Sequence, residues 1–397
     1  MPRVLSIATL YPNAHVPRFG TFVARQLEAL AARDGWDVTV INPIGVPPVP
    51  MPRYKPLAAA AISGVEAGVD VRRPRFTLIP AVGGPFNPAM IVRAALPLAR
   101  QLHAREPFDL VDAQFFYPDG SAAARIAAEL GLPLSIKARG ADISHWGGKP
   151  YALKKMRRAA QQAAGLLAVS KALAEDMAVL GLPREKITVH YTGLDRDLFR
   201  PLDRASSRQR IADEFGIALG DDEKLIACVG ALIPRKGQQH LVDIVAGLPK
   251  VHLALVGTGP DRQLLEGDVA RLGVSHRVHF LGSLDHGRLP LVLSASNVMA
   301  LNSASEGLAN AWVEALACGT PLVITDVGGA RELVSDASAG RVVPYTPTID
   351  ISYFENAIRE VLTANYPQEE VAANVAQFSW EANAAELATY YEGLIAR

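Results

Sequence analysis

The sequence predicts an α/β protein built from two doubly wound parallel sheets in series. Short, nearly continuous apolar runs alternate with stretches of helical periodicity, a pattern typical of parallel strands covered by helices on both faces. The same plan occurs in each half of the chain. At 397 residues the chain also exceeds the roughly 250–300 residues that one hydrophobic core usually supports, so two domains are expected.

The predicted strands are apolar runs of similar length. In the first half they lie at Val4–Thr9, Val38–Ile41, Leu110–Ala113, Leu134–Ala138, Leu166–Val169 and Thr188–His190. In the second half they lie at Leu225–Val229, His252–Val256, Val278–Leu281, Val298–Leu301, Leu322–Thr325 and Arg341–Val343. Residues 42–88, rich in Pro and Gly, are predicted to leave the first sheet as an excursion. Because open parallel sheets bind ligands beyond the carboxyl ends of their strands, the loops at those ends should carry the chemistry.

The domain boundary is predicted within Asp195–Arg204, where a strand ends, a proline follows and a new helix begins near Ser206. This gives a first Rossmann-like domain of residues 1–200 and a second of residues 201–378. Residues 379–397 are expected to form an amphipathic helix that could pack on either domain, including back on the first.

Composition excludes several classes of protein. Lys plus Arg and Asp plus Glu are equal at 40 each, so the chain is not expected to bind nucleic acid in general. Cys228 and Cys318 both stand in apolar settings and are interpreted as buried side chains rather than as a disulfide or metal site. The first apolar run is too short for a signal peptide, and no run is long enough to span a bilayer. We expect a cytoplasmic protein, or one on a membrane surface that faces the cytoplasm.

The strongest functional signal follows a predicted strand. Residues 305–319 read SEGLANAWVEALACG, with a helical pattern from Gly307 to Cys318 that Gly319 would end. Glu306 would stand at the helix start, and Glu314 would lie eight residues later, about 12 Å along the axis. That span is comparable to the distance from the sugar to the ribose of a nucleotide sugar.

The start of this helix is a candidate phosphate site. First-turn amides of Gly307, Leu308 and Ala309 would have no helical partners and would carry the positive end of the dipole, which suits a diphosphate. The alternative is that Glu306 is only a charge favoured at a helix N-terminus and that Glu314 is a solvated surface residue.

A second signal, VGALIPRKG, leaves the first strand of the second half. Gly230 would allow close backbone approach, while Arg235 and Lys236 place cations at the strand end. A cation there would stabilise the negative charge that develops on a departing diphosphate. The alternative is a pair of solvated cations before a helix.

The stretches EGLANAWVEALACGTPLVITDVGGARELV and VGALIPRKG resemble the donor-binding half of the large retaining glycosyltransferase family that carries a Glu-x7-Glu signature, family four in the usual classification. The first half looks most like a bacterial surface-polysaccharide branch, such as teichuronic acid glycosyltransferases, through LYPNAHVPRFGTFVARQLEAL, DAQFFYPDGSAAARIAAELGLP and ARGADI. The resemblance implies the GT-B fold, with two domains facing a central cleft. It also implies transfer with retention from a UDP- or GDP-sugar to a saccharide or lipid-linked acceptor, without a metal.

The resemblance also implies roles for single residues. Glu314 would hold the ribose hydroxyls, Glu306 would contact the donor sugar, and Lys236 would bind the diphosphate. Gly20 would let the backbone approach the phosphates, and the loop Gly282–Leu284 would line the base pocket.

Two positions depart from the family pattern. Many members have Arg where this chain has Ala231, so Arg235 would supply that charge, or Lys236 would act alone. Many members also have His where this chain has Arg139, in the turn that ends at Asp142. An Arg cannot act as a general base, but it can bind a uronic acid or a phosphate. The alternative is an Arg139 paired with Asp142.

Acceptor contacts are predicted in the first domain. Tyr117 and Asp119 follow a strand and open a helix, which also suits a capping and packing role. His145, just beyond the Arg139 turn, could stack on a sugar together with Trp146. The side chains expected to face the acceptor are those of Tyr117, Asp119, Arg139, Asp142 and His145.

A short basic cluster on a predicted helix consists of Lys154, Lys155, Arg157 and Arg158. Such clusters attract anionic lipid, which would help an enzyme reach a lipid-linked acceptor. A solvated helix face is the alternative.

Rival functions remain open from the sequence. Another enzyme of the same fold, such as a nucleotide-sugar epimerase or a sugar phosphorylase, would show a similar donor half. A non-catalytic nucleotide-sugar-binding protein would bind the donor without turnover.

Overall fold

A computed structural model of the chain describes residues 1–49, 51–345 and 351–396. The chain divides into two compact units: the first contains Met1–Gly193 and the last helix, and the second contains Leu194–Ser379. The α/β fold class is confirmed, and each predicted strand is present with small shifts at its ends.

The elements are numbered along the chain. The first unit begins with strands β1 (Arg3–Ile7), β2 (Asp37–Ile41), β3 (Ile44–Val46), β4 (Gly64–Glu66), β5 (Val69–Arg72), β6 (Arg75–Thr77), β7 (Leu110–Ala113), β8 (Leu134–Ala138), β9 (Gly165–Ala168) and β10 (Ile187–Val189), and helices α1 (Thr21–Ala31), α2 (Lys55–Ala59), α3 (Asn87–Arg105), α4 (Ser121–Leu130), α5 (Pro150–Gln162) and α6 (Lys171–Val179). Then follow strands β11 (Lys224–Val229), β12 (Val251–Val256), β13 (Val278–Gly282), β14 (Val298–Leu301), β15 (Leu322–Thr325) and β16 (Gly340–Val343), and helices α7 (Arg204–Phe215), α8 (Gln238–Ala246), α9 (Arg262–Arg271), α10 (Leu289–Ala295), α11 (Asn310–Ala317), α12 (Ala330–Leu333), α13 (Ile351–Ala364), α14 (Gln368–Ala373) and α15 (Trp380–Ile395).

The sheet of the first unit has the strand order β10-β9-β8-β7-β1-β2-β5-β4. Its strands are parallel except β4, which pairs antiparallel with β5. The strand order reverses between β1 and β7: β2 lies next to β1 on one side, and β8 lies next to β7 on the other. Because both crossovers are right-handed, α1 and α4 lie on opposite faces of the sheet. Helices α1 and α15 share one buried core, in which Leu27 and Tyr391 are almost fully buried.

The segment 42–88 is more than the predicted excursion. Strands β4 and β5 extend the edge of the main sheet, while β3 and β6 form a separate two-stranded sheet. The alternation in β5 places Val69 and Val71 in the core, although Pro and Gly nearby obscure this strand in the sequence.

The sheet of the second unit is parallel, with the order β13-β12-β11-β14-β15-β16. The strand order reverses between β11 and β14, with β12 and β13 on the β11 side and β15 and β16 on the β14 side. The core strands are buried on both faces, which explains why their sequences are almost continuously apolar.

The boundary lies earlier than predicted. Residues 194–200, placed by the sequence in the first domain, belong to the second unit because Phe199 is buried there with its ring edge-on to His286 at 5.0 Å. The last helix belongs to the first unit, where Asn383 donates to the carbonyl of Tyr191 at 2.6 Å. In the part of the chain that the structure describes, no helix is both long and apolar enough to span a membrane.

Candidate active site

The second unit brings two predicted motifs together at its strand-order reversal. The loop after β11 carries Lys236, and the loop after neighbouring β14 carries Glu306. In open parallel sheets this point, beyond the carboxyl ends of the strands, is where ligands bind. The topology therefore assigns both residues to the place where a donor is expected.

Lys236 and Glu306 form a direct ion pair. The Nζ of Lys236 donates to Oε1 of Glu306. The two side chains are only 12% and 9% exposed, so water screens their attraction weakly. Arg235 is more exposed and lies 3.8 Å from the other carboxylate oxygen, with its guanidinium donating to the carbonyl of Ser305. The arrangement holds a cation in a fixed position.

The backbone holds these two loops in register. The amide of Ala304 donates to the carbonyl of Arg235 at 2.8 Å. Gly237 adopts a left-handed conformation, and a Cβ there would lie 2.3 Å from the carbonyl oxygen of Asn302. On the other side, a Cβ at Gly328 would lie 2.4 Å from the carbonyl oxygen of Glu306. No role was predicted for Gly237, Asn302 or Gly328 from the sequence, although the Gly328-Gly329 pair after β15 is a turn signal.

The helix of the Glu306 motif begins later than predicted. Helix α11 starts at Asn310, so Gly307, Leu308 and Ala309 precede it rather than form its first turn. Ala309 takes an extended conformation and Leu308 buries its side chain. The 12 Å span that we expected between the two glutamates is therefore not set by helical rise, because Glu306 lies outside the helix.

The free amides nevertheless remain. Among the described residues, the backbone amides of Gly307, Leu308 and Ala309 donate to no backbone carbonyl. They stand beside the Lys236–Glu306 pair in sequence and at the positive end of α11. A diphosphate could satisfy them.

Glu314 is buried on α11. Its side chain is 11% exposed, and burial raises its pKa from 4.5 to about 7. His286 Nε2 lies 3.6 Å from its Oε1, but that imidazole is 60% exposed, so solvent screens any charge it carries. A buried carboxylate of this kind is available to accept hydrogen bonds from ligand hydroxyls. The alternative of a solvated Glu314 is wrong.

The pKa of Glu314 predicts a pH dependence of stability. The folded state holds this proton more tightly than the unfolded state, so the group favours folding at low pH. The free energy of unfolding should lose about 3 kcal/mol from this group as the pH rises from 4.5 to 7 and then level off. Urea denaturation of wild type and Glu314→Gln at several pH values measures this difference. The exposed Glu370→Gln serves as the control, and parallel curves for wild type and Glu314→Gln would contradict the assignment.

The remaining donor residues lie at neighbouring strand ends. The amide of Gly257 donates to the carbonyl of Gly282 at 2.7 Å, and a Cβ at Gly257 would lie 1.9 Å from the carbonyl oxygen of Gly230. The ends of β11, β12 and β13 are thus closely packed. Leu284 is half-buried in the loop after β13. In the first unit, Gly20 precedes α1 with a left-handed φ of 72°, where a Cβ would lie 2.5 Å from the backbone of Leu10.

Arg139 does not pair with Asp142 through its side chain. Its guanidinium donates to the amide oxygens of Gln114 and, at 3.3 Å, Gln26, and it lies 5.1 Å over the ring of Phe22. Burial lowers its pKa to about 10, and within the described residues its Nε has no partner. The hydrogen-bond acceptors of this guanidinium are neutral amides, and the nearby carboxylates of Asp112 and Asp142 favour its charge. The group is therefore suited to an anion that contacts it directly.

A polar network that was not predicted from the sequence surrounds Arg139. Lys137 is fully buried, with its Nζ 2.8 Å from Gln26 Oε1 and 2.7 Å from His190 Nδ1. Burial lowers its pKa well below the ordinary value. Asp112 accepts hydrogen bonds from Ser6 at 2.9 Å and Gln114 at 2.5 Å. A lysine inside the apolar run LSIKA was the available signal, because buried charges require partners.

The other predicted acceptor residues are mostly engaged. Asp119 accepts two hydrogen bonds from Thr9, and burial raises its pKa to about 7. Asp142 accepts three from the backbone amides of Phe116, Arg139 and Gly140.

The aromatic candidates differ in exposure. Tyr117 is buried and donates to the carbonyl of Gly84, whereas His145 is exposed and edge-on to Trp146. An acceptor would meet His145 most readily.

No group of three or more metal-ligating His, Cys, Asp or Glu side chains occurs in residues 1–49, 51–345 and 351–396.

Comparison with known proteins shows similarity to glycosyltransferases in both halves of the chain. The model of Glycosyltransferase Family 4 matches residues 20–198, and that of Glycosyl transferases group 1 matches residues 209–378. The second match lies within the second unit, the first lies in the first unit except for its last five residues, and the fold is GT-B. The chain is therefore similar to glycosyltransferases of these two groups along most of its length.

Curated relatives of the chain are named as glycosyltransferases. A D-inositol 3-phosphate glycosyltransferase of Mycobacteroides abscessus is 35% identical over 53% of this chain and 47% of its own, so the chain spans about half the length of that relative. A glycosyltransferase of Bacillus subtilis assigned to teichuronic acid biosynthesis is 28% identical over 83% of this chain and 82% of its own.

Solved structures share the fold. A sucrose-phosphate synthase from Thermosynechococcus elongatus superposes with a TM-score of 0.79 at 23% identity, covering both chains completely. HepE from Anabaena, in complex with UDP-glucose, superposes with a TM-score of 0.73 at 22% identity over 99% of this chain and 100% of its own. At these identities the likeness concerns the fold.

Proposed function

We propose that this protein transfers a hexose-type sugar from a UDP- or GDP-sugar to a saccharide or lipid-linked acceptor with retention, in polysaccharide or glycolipid assembly. The observation that carries the proposal is the buried Lys236–Glu306 pair next to the free amides of Gly307, Leu308 and Ala309. A cation and unpartnered amides at one strand-order reversal match the chemistry of a diphosphate.

Each donor part has a candidate partner in this scheme. Lys236, with Arg235 behind it, neutralises the leaving diphosphate, and Glu306 orients Lys236 and accepts from sugar hydroxyls. Glu314 accepts from the ribose hydroxyls. The leaving phosphate takes the acceptor proton on the face that it vacates, which gives retention without a side-chain nucleophile and without a metal.

The names of related proteins support a nucleotide-sugar donor. They include a GDP-mannose-dependent mannosyltransferase of Mycolicibacterium smegmatis, 30% identical over 59% of this chain and 62% of its own. HepE is described with UDP and with UDP-glucose. We also propose that the protein works in the cytoplasm, peripheral to the membrane face where a lipid-linked acceptor would lie.

For the acceptor, we propose that Arg139 binds a uronic acid or phosphate group. Its guanidinium donates hydrogen bonds to the neutral amides of Gln26 and Gln114, which supports this role. An anion that binds Arg139 would break no ion pair, because the side chain of Arg139 contacts no carboxylate among the described residues.

A thermal-shift screen of nucleoside diphosphates and nucleotide sugars tests the donor proposal. A ligand at about 100 times its Kd should stabilise the protein by about 2.7 kcal/mol. We expect a uridine or guanosine diphosphate sugar to give the largest shift, and Glu314→Ala to abolish it. No shift with any nucleoside diphosphate would overturn the proposal, and a shift without donor turnover would indicate a binding protein. Sugar phosphates and hexuronic acids added to the donor-bound protein extend the measurement to Arg139→Leu, which should lose their additional shift.

A further inference from the structure

Charge is distributed unequally between the two units. The first unit has 24 Lys and Arg against 17 Asp and Glu, whereas the second has 16 against 23. The excess is most concentrated on helices α3, α4 and α5. Together these helices carry eight Lys and Arg side chains and a single carboxylate, that of Glu129.

Most of these cations have no acidic partner. Glu129 pairs with Arg100 and Arg125. Arg93, Lys154 and Arg158 are exposed and make no ion pair with any carboxylate of the described residues. Other cations of α5 are held only by backbone carbonyls: Lys155 donates to Pro85 at 2.5 Å and Arg157 to Leu180 at 2.7 Å. Their charges are therefore uncompensated.

An apolar loop borders the basic helix. Residues 79–86 expose three large side chains, with Ile79 38%, Val82 67% and Phe86 55% accessible to solvent. Exposed apolar side chains are common singly, but here three large ones fall within eight residues of one loop.

This loop is fixed to α5 and its neighbours. Tyr117 donates to the carbonyl of Gly84 at 2.6 Å, and Lys155 donates to that of Pro85. A Cβ at Gly84 would lie 2.7 Å from the hydroxyl of Tyr151 on α5. The apolar side chains and the cations thus belong to one surface.

A groove of about 530 Å³ continues this surface between α3, α4 and α5. Its lining combines small apolar side chains with cations, including Pro88, Val92, Ala124, Ala159, Lys155 and Arg158. The apolar side chains of this lining can contact an acyl chain, and its cations can bind a phosphate.

We propose that residues 79–93 and helix α5 form a docking surface for an anionic lipid bilayer. Val82 and Phe86 enter the boundary between headgroups and acyl chains, while Arg93, Lys154, Arg157 and Arg158 bind lipid phosphates. Apolar side chains projecting beside unpaired cations are the pattern of interfacial binding, and the lack of carboxylates on this surface suits a negatively charged plane. The inference deepens the peripheral contact proposed above and rests on it.

Vesicle sedimentation of the full chain tests the proposal. We expect binding to vesicles that contain phosphatidylglycerol, weakened by salt, and little binding to phosphatidylcholine alone. Lys154→Gln/Arg158→Gln should weaken binding roughly tenfold and reduce its salt dependence. Val82→Ser/Phe86→Ser should weaken it about as much but leave the salt dependence unchanged. Leu264→Ser, an equally exposed apolar position of the second unit, should bind like wild type.

A second readout locates the contact. Tryptophan at Phe86→Trp should be quenched by brominated lipid, whereas Leu264→Trp should not. The proposal would be overturned if the protein bound neutral vesicles equally well or bound no vesicles. It would also be overturned if both double variants bound like wild type. Because the vesicle assays contain no donor or acceptor, a negative result would not bear on the proposed binding of a nucleotide sugar.

Discussion

Replacing Lys236 with alanine is expected to lower turnover of the donor by roughly 10²–10³-fold at saturating concentrations. The Nζ is held by Glu306 in a mostly buried position, so it acts on a developing phosphate charge without first being ordered. Its effect should be larger in the transition state, where the leaving group gains charge, than in the bound donor. Initial rates of nucleoside diphosphate release measure this loss.

Lys250→Ala is the matched control for this variant. Lys250 is an exposed lysine of the same unit that also pairs with a carboxylate, that of Asp222. Its loss should leave turnover unchanged. If Lys236→Ala instead raises KM for the donor while kcat is preserved, Lys236 contributes uniform binding only, and the transition-state role is wrong. A melting curve of each variant separates loss of activity from loss of folding.

Gly237→Ala is expected to destabilise the protein by about 2–5 kcal/mol. A left-handed conformation costs an alanine about 1–2 kcal/mol, and its Cβ would also meet the carbonyl oxygen of Asn302 at 2.3 Å, which overpacks the junction by a further 1–3 kcal/mol. Because that junction holds Lys236 against Glu306, turnover should fall as well. Denaturant unfolding and donor turnover are the two measurements.

Gly216→Ala separates the two costs. Gly216 has a similar φ of 69°, but a Cβ there would meet nothing within 4 Å. It should therefore lose only the conformational part and retain full activity. Equal destabilisation by both substitutions would show that the contact with Asn302 is not tight.

The sequence predicted the strands because burial on both faces imposes a local pattern. Runs such as Leu134–Ala138 and Leu322–Thr325 are apolar almost throughout, and their positions in the structure match. The edge strand β4 and its neighbour β5 were missed because they are short, and nearby Gly and Pro residues mask their alternation.

The site was predicted in composition and only partly in geometry. The motifs containing Lys236 and Glu306 were found because each follows a strand, but the start of α11 at Asn310 was not. Gly307 and Leu308 suit a first turn by sequence, whereas the contact of Gly328 with this loop and the burial of Leu308 favour an irregular entry to the helix.

The sequence by itself determined the two parallel sheets and the residues that follow their strands, since both depend on patterns that a few neighbouring side chains carry. Only the tertiary structure decided which of those residues meet. Lys236 contacts Glu306, and Arg139 turns to Gln26 and Gln114 instead of Asp142, because strands distant in sequence become neighbours in a sheet. Burial then raises the pKa of groups such as Glu314, and burial is a property of the packed chain rather than of the motif.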